Sequence, residues 1–291
     1  MLDFLYILAA VLAAFAAIFF PNKDAIVKAA RKRRDDEILD DDRHDSIVPD
    51  PDEIVPMFVP DSVRHVPSIV VPNGIIQPAP ASELEYPPET IEFLLDGGHG
   101  PETAGKRSPV LDDGRQLLEW EFNDAVLRKV LRRAKEKGLR TVDLVPDKTG
   151  LGNALELRVQ RANAISSPFP QMFVSLHGNA MDPDPGKQWQ RKARGCEVWH
   201  FHGSAVGYQA ADTMCDAVCE RTGFNNRGPK SRSSKQFYVL RKTRPTAILV
   251  ESGFFNHPEE VLKMLDDGFR ESIAAGIVLG MIRIQNSRMF G

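Results

Sequence analysis

From residue 90 onward, short apolar runs alternate with stretches of helical period, and this alternation limits the fold more than any other feature of the chain. IEFLL (91–95), RTVDLV (140–145), QMFVSLH (171–177), GCEVWHF (195–201), FYVLR (237–241) and TAILVE (246–251) read as strands. Helices are expected over 116–137, 153–165, 205–221 and 269–284. In the first of these, Leu118, Phe122, Val126 and Val130 recur at helical spacing, and Gly138 closes the run. Strands joined through helices pair in parallel, so the expected class is α/β: a twisted, mainly parallel sheet with helices on both faces. In such sheets a ligand binds beyond the carboxyl ends of the strands.

Three chemically capable residues fall at those ends. His99 follows the first strand in the turn DGGHG, His177 ends the third, and Glu251 ends the sixth. Glu119 opens the first helix. Two imidazoles and a carboxylate make a common catalytic zinc set, with the remaining position left to water. Zinc lowers the pKa of the water it holds to roughly 7, and a further carboxylate can receive the proton and pass it to a leaving amine. The residues alone leave another reading open. A histidine at a strand end is often a hydrogen-bonded structural group, and a glutamate at a helix start often only complements the helix dipole.

The motifs LLDGGHG, LLEWEFN, LRVQRAN, FVSLHGNA and LVESGFFNHPEE occur in this order over 91–284. Together they resemble the zinc-dependent N-acetylmuramoyl-L-alanine amidases, the class used in cell division and by many phage lysins. The resemblance implies hydrolysis of the amide between N-acetylmuramic acid and the L-alanine of the peptidoglycan stem peptide. It implies one Zn2+ held by His99, Glu119 and His177, with Glu251 as catalytic acid/base. Arg158 and Asn163 match an R-x-x-x-x-N signature with a supporting role. Two departures stand out: Gly178 replaces the family's usual alanine, and the interval from His99 to Glu119 is long, which leaves Glu121 as a rival ligand. The short stretch after His177 has no room for the blocking helix of self-inhibited members, so an open site is expected. The alternative reading is a catalytically silent peptidoglycan-binding or structural subunit of a phage or secretion particle.

The other histidines and the aromatics attract plainer readings. His200 and His202 share a strand face but have no evident carboxylate partner, and His257 before Pro258 reads as surface structure at a helix start. Trp189, Trp199 and Phe237 read as core or groove rim. Three cysteines are too few for a disulfide framework. Cys215 and Cys219, four apart on an expected helix, read as small core residues, as does Cys196.

The first 88 residues have a different texture. Phe4 to Phe20 is an apolar run closed by Pro21, and basic residues follow it at Lys23, Lys28 and Arg31 to Arg34. An apolar N-terminal helix over 1–21 is expected. Three readings stay open: a membrane anchor, a weakly inserted segment later released, and a helix buried in a particle. The charge order would place the following chain on the cytoplasmic side, against a role at the wall. Eleven of the 21 prolines lie between Pro21 and Pro88, many in Val-Pro steps, so 22–88 is expected to be an extended arm. Its apolar side chains make it a docking candidate for a membrane or particle partner. The expected catalytic domain is 89–286, acting at the bacterial cell envelope or from a phage or secretion particle. A net charge of −3 gives no reason to expect nucleic acid.

Overall fold

The computed structural model describes residues 90–103, 106–147, 154–181 and 186–290. The expected N-terminal helix, the arm and the anchor lie outside them. Among the described residues, no helix is long and apolar enough to cross a membrane.

The elements are β1 (Glu92–Gly97), α1 (Glu119–Glu136), β2 (Arg140–Asp143), α2 (Leu155–Ala164), β3 (Gln171–Asn179), β4 (Cys196–His200), α3 (Ala205–Thr222), β5 (Asn226–Lys230), α4 (Tyr238–Lys242), β6 (Thr246–Phe254), α5 (Pro258–Leu265) and α6 (Asp267–Asn286). The six strands form one sheet in the order β2-β1-β3-β6-β4-β5. All neighbours pair in parallel except β4 with β6. The expected α/β class with a mainly parallel sheet is what the chain adopts.

The two faces can be told apart from the alternation of side chains along β3. Ser175 and His177 share one face, where Ser175 meets Asp96 of β1 and Arg158 of α2 reaches the same carboxylate. Gly178 lies on the other face, where Phe122 of α1 and Met264 of α5 are its neighbours. Helix α6 packs on that side against both α1 and α3. There Gly276 and Gly280 let α6 approach α3 closely: a Cβ on Gly276 would stand 2.7 Å from Val218 Cα. The central strands are buried on both faces, which explains the nearly unbroken apolar run Ala247–Val250.

Local chemistry sets the helix ends. Ser204 caps α3 by accepting from Gly207 N–H, and Gly223, at φ 67°, ends it in the left-handed conformation. Asp266 caps α6 through Phe269 N–H, and Pro258 occupies the first turn of α5.

Two segments differ from the sequence reading. FYVLR is not a strand: Tyr238–Lys242 forms the short helix α4, burying Tyr238, Val239 and Leu240. A five-residue apolar run carries no period long enough to separate the two states. The polar segment NRGPK, which gives no strand signal, forms edge strand β5, where proline and glycine are tolerated.

Candidate active site

The carboxyl ends of β1, β3 and β6 are neighbours in the sheet, so the turn after β1, His177 and Glu251 meet at one place. His177 and Glu251 are register partners across β3 and β6. The turn 97–100 carries His99 at φ 63°, a conformation that costs a non-glycine residue about 1–3 kcal/mol. Arg158 holds it there. Its fully buried guanidinium pairs with Asp96 and donates to Gly97 O at 2.9 Å and His99 O at 2.7 Å. Ser175 Oγ donates to the second oxygen of Asp96 at 2.7 Å. Asn123, one turn into α1, donates to Gly98 O at 3.0 Å and fixes the turn to the helix. Asn163 works elsewhere: it donates to Lys242 O at 3.0 Å and accepts from Arg244 N–H at 2.8 Å, tying α2 to the segment before β6.

The long interval between His99 and Glu119 folds back on itself. Ser108 N–H donates to Leu117 O at 2.9 Å, and Leu111 N–H to Arg115 O at 2.8 Å. Glu119 N–H then donates to Lys106 O at 3.0 Å, so the insertion returns the chain to the site at the first residue of α1. Glu119 is buried, and its Oε1 stands 3.3 Å from His99 Nε2 and 3.0 Å from His177 Nδ1. The rival Glu121 is exposed on the far side of the helix start. The rings of His99 and His177 meet edge to face with centroids 4.9 Å apart. This approach needs Gly98, because a Cβ there would lie 2.1 Å from the His177 ring.

The three donor atoms lie within 4.8 Å of one another. Metal–ligand bonds of about 2.0–2.1 Å at tetrahedral angles separate ligand atoms by roughly 3.4 Å. The carboxylate-to-imidazole separations of 3.0 and 3.3 Å are close to that value, so the donor set fits a small divalent cation. Burial opposes ionisation of Glu119, yet the two imidazoles hold its carboxyl well below the usual range. Burial lowers the pKa of His99; burial opposes the charge on His177 too, but the hydrogen-bonded Glu119, with Glu251 and Asp96, raises its pKa.

Glu251 is buried, and its Oε2 has no hydrogen-bond partner among the described residues. Burial, reinforced by the charges of Glu119 and Glu197, pushes its pKa up to about 8. Glu197 is the neighbour that the sequence reading missed. It is the register partner of Glu251 across the antiparallel β4–β6 pair. Asn179 Nδ2, Trp199 Nε1 and Arg227 Nε all donate to its carboxylate, at 3.0, 3.1 and 2.7 Å.

With this geometry in place, comparison with known proteins has a specific meaning. The model of the N-acetylmuramoyl-L-alanine amidase family matches residues 93–283. The chain belongs to this family. The amidase CwlM of Bacillus licheniformis is 26% identical over 197 residues, covering 67% of this chain and 69% of that protein. An amidase structure from Clostridium difficile 630 superimposes with a TM-score of 0.57 at 25% identity, covering 69% of this chain and 99% of that one. The catalytic domain of CwlV from Bacillus (Paenibacillus) polymyxa var. colistinus gives a TM-score of 0.54 at 26% identity, covering 67% and 97%. The amidase family match begins at β1, so residues 1–92 fall outside it.

The remaining candidates have other partners. His200 is bonded to Phe201 O and His202 lies by Ser231 Oγ. His257 is buried, not at the surface as expected, and it caps α5 by accepting from Glu259 N–H. Trp199 and Phe237 pack edge to face with Arg232 over both rings, while Trp189 is exposed. Between β3 and β4, no helix is formed by the described residues.

Proposed function

We propose that this amidase hydrolyses the bond between N-acetylmuramic acid and L-alanine in peptidoglycan, with His99, Glu119 and His177 holding one Zn2+ and Glu251 as general acid/base. The observation that carries the reading is the buried Glu119 carboxylate shared by two imidazoles beside a carboxylate with an uncommitted oxygen. When bound, the ion supplies Lewis acidity, polarising the scissile carbonyl and easing ionisation of water. Glu251 Oε2 takes the proton of the attacking water and returns it to the departing alanine nitrogen. In the metal-free protein burial pushes this carboxyl up to about 8, and a cation held beside it would favour the carboxylate that accepts the water proton. Glu197, the register partner of Glu251, contributes to that raised value. Arg158, Asp96 and Asn123 fix the His99 turn, so the ligands need little rearrangement.

The silent-subunit alternative is not favoured, since His99, Glu119 and His177 gather their donor atoms in one place with Glu251 beside His177, and the relatives are named amidases. The catalytic unit is 89–286, and its place of action is the bacterial cell wall, where 1–88 would serve as an anchor or as the contact to a particle. Digestion of peptidoglycan by wild type and Glu251→Gln tests the reading. Both proteins should bind zinc, and the variant should release new L-alanine amino termini about 10²–10⁴-fold more slowly. Near-normal release by the zinc-loaded variant would remove Glu251 from the mechanism.

A further inference from the structure

Adjacent residues of β4 point to opposite faces. Glu197 faces Glu251, and on the other side the fold gathers all three cysteines of the chain. Cys196 opens β4, and Cys215 and Cys219 lie one turn apart on α3, which packs there. Their Sγ atoms lie within 4.8 Å of one another.

Burial alone does not describe this cluster. Cysteines that serve as inert core residues sit among apolar groups. Cys215 Sγ instead lies 3.3 Å from Cys196 O and 3.1 Å from Asn226 Oδ1. Asp212 and Asp216 on the same helix add negative charge near Cys215. Three sulfurs gathered in one place, with two oxygens beside them that accept from the Cys215 thiol, present a ready set of ligands to a cation bound by sulfur.

We propose that Cys196, Cys215 and Cys219 form a second metal site, a trithiolate that takes a soft cation such as Zn2+, Cu+ or Cd2+. Thiolate ligands select these ions over hard cations. Zn–S bonds of about 2.3 Å at tetrahedral angles place sulfurs roughly 3.8 Å apart, so the cluster needs a contraction of at most about an ångström. Each thiol loses its proton to solvent as its sulfur–metal bond forms. Cys219, the partly exposed member, gives the entry path. The ion fastens β4 to α3 immediately beside Glu197. The site is separate from the His99–Glu119–His177 centre and stands whatever that centre does.

The test is a Cd2+ titration of the reduced, zinc-loaded full chain, followed by sulfur-to-cadmium charge-transfer absorption. Nitrogen and oxygen ligands give no such band, so the other centre is silent in this assay. One equivalent should saturate the band and protect all three thiols from alkylation, and Cys219→Ser should weaken binding at least about tenfold. Protection is read on the unaltered chain, so a poorly folding variant does not decide the matter. Absence of a thiolate band, a band untouched by Cys219→Ser, or a disulfide between two of the cysteines that persists when metal is added would each overturn the proposal.

Discussion

Gly98→Ala should damage the centre through one side chain, while the neighbouring change Gly178→Ala should not. Gly98 does not have the positive φ that disfavours alanine, so the backbone accepts the new residue. The added Cβ would nevertheless lie 2.1 Å from His177 Cε1 and 2.2 Å from Nε2, against an ordinary contact of 3.4–4 Å. The imidazole must retreat by more than an ångström, and its 3.0 Å relation to Glu119 is lost. Zinc-site distances tolerate only about ±0.2 Å. Zinc affinity should therefore fall at least 10–100-fold, about 1.4–2.7 kcal/mol, with an overpacking cost of about 1–3 kcal/mol in stability. At Gly178 the new Cβ meets Met264 Cε at 2.9 Å, the flexible end of a thioether, and ring edges at 3.3 and 3.4 Å. That variant should stay within about 1 kcal/mol of wild type, with unchanged zinc affinity. The assay is competition for zinc against a chromophoric chelator, with urea denaturation of both variants. Zinc affinity within twofold of wild type in Gly98→Ala, or equal losses in the two variants, would refute the steric argument.

Arg158→Leu removes the partner of buried Asp96 and frees two turn carbonyls; stability should fall about 3–5 kcal/mol, and a urea midpoint shift worth under about 1 kcal/mol would contradict this. Gly276→Ala sets a Cβ against backbone, 2.7 Å from Val218 Cα and 3.0 Å from Ala217 O, so α6 must move off α3. The helix-propensity gain of about 1 kcal/mol should not cover the strain, and thermal denaturation should show a net loss of up to about 2 kcal/mol. In chelator-treated protein the folded-state pKa of Glu251, about 8, lies above its unfolded value. Its contribution is thus fully present at pH below about 4.3 and lost as pH rises toward 8, with a slope of at most about 1.4 kcal/mol per pH unit. Wild type should lose stability relative to Glu251→Gln as pH rises across that window, and parallel profiles would exclude the raised pKa.

Much of the site was legible because its residues lie at the ends of continuous apolar strands. The runs before His99, His177 and Glu251 are buried on both faces and show as mainly hydrophobic stretches, with Asp96 and Ser175 as buried polar interruptions. Parallel pairing then brings their carboxyl ends together without further information. Glu119 was reachable as a ligand through the resemblance carried by LLEWEFN, and the structure adds that one helical turn presents its carboxylate to the imidazoles and the Asn123 amide to Gly98 O. What lay beyond the sequence was direction and depth. His257 looked exposed because it precedes a proline at a helix start, but burial there is set by tertiary packing that local sequence does not encode. The helix α4 and strand β5 are too short for periodicity to identify.

The reversal of β4 had the largest hidden effect. In a wholly parallel sheet Cys196 and Glu197, at the start of their strand, would lie at the end remote from His177 and Glu251. Because β4 runs antiparallel to β6, its first residues stand against Ser252 and Glu251. One sheet position therefore holds a carboxylate beside the proposed acid/base on one face and a cysteine over α3 on the other. No spacing in the sequence encodes that, since residues 197 and 251 are joined by α3, β5 and α4, and the pairing is settled only when β4 and β6 bury their apolar sides together. Substitutions in α3 that shift Cys215 and Cys219 should thus reach Glu251 through β4, whereas those in α2 act on the site through Arg158 and the His99 turn. The two routes enter from opposite faces of the sheet and share no side chain, so paired substitutions, one in each, should have additive effects on stability.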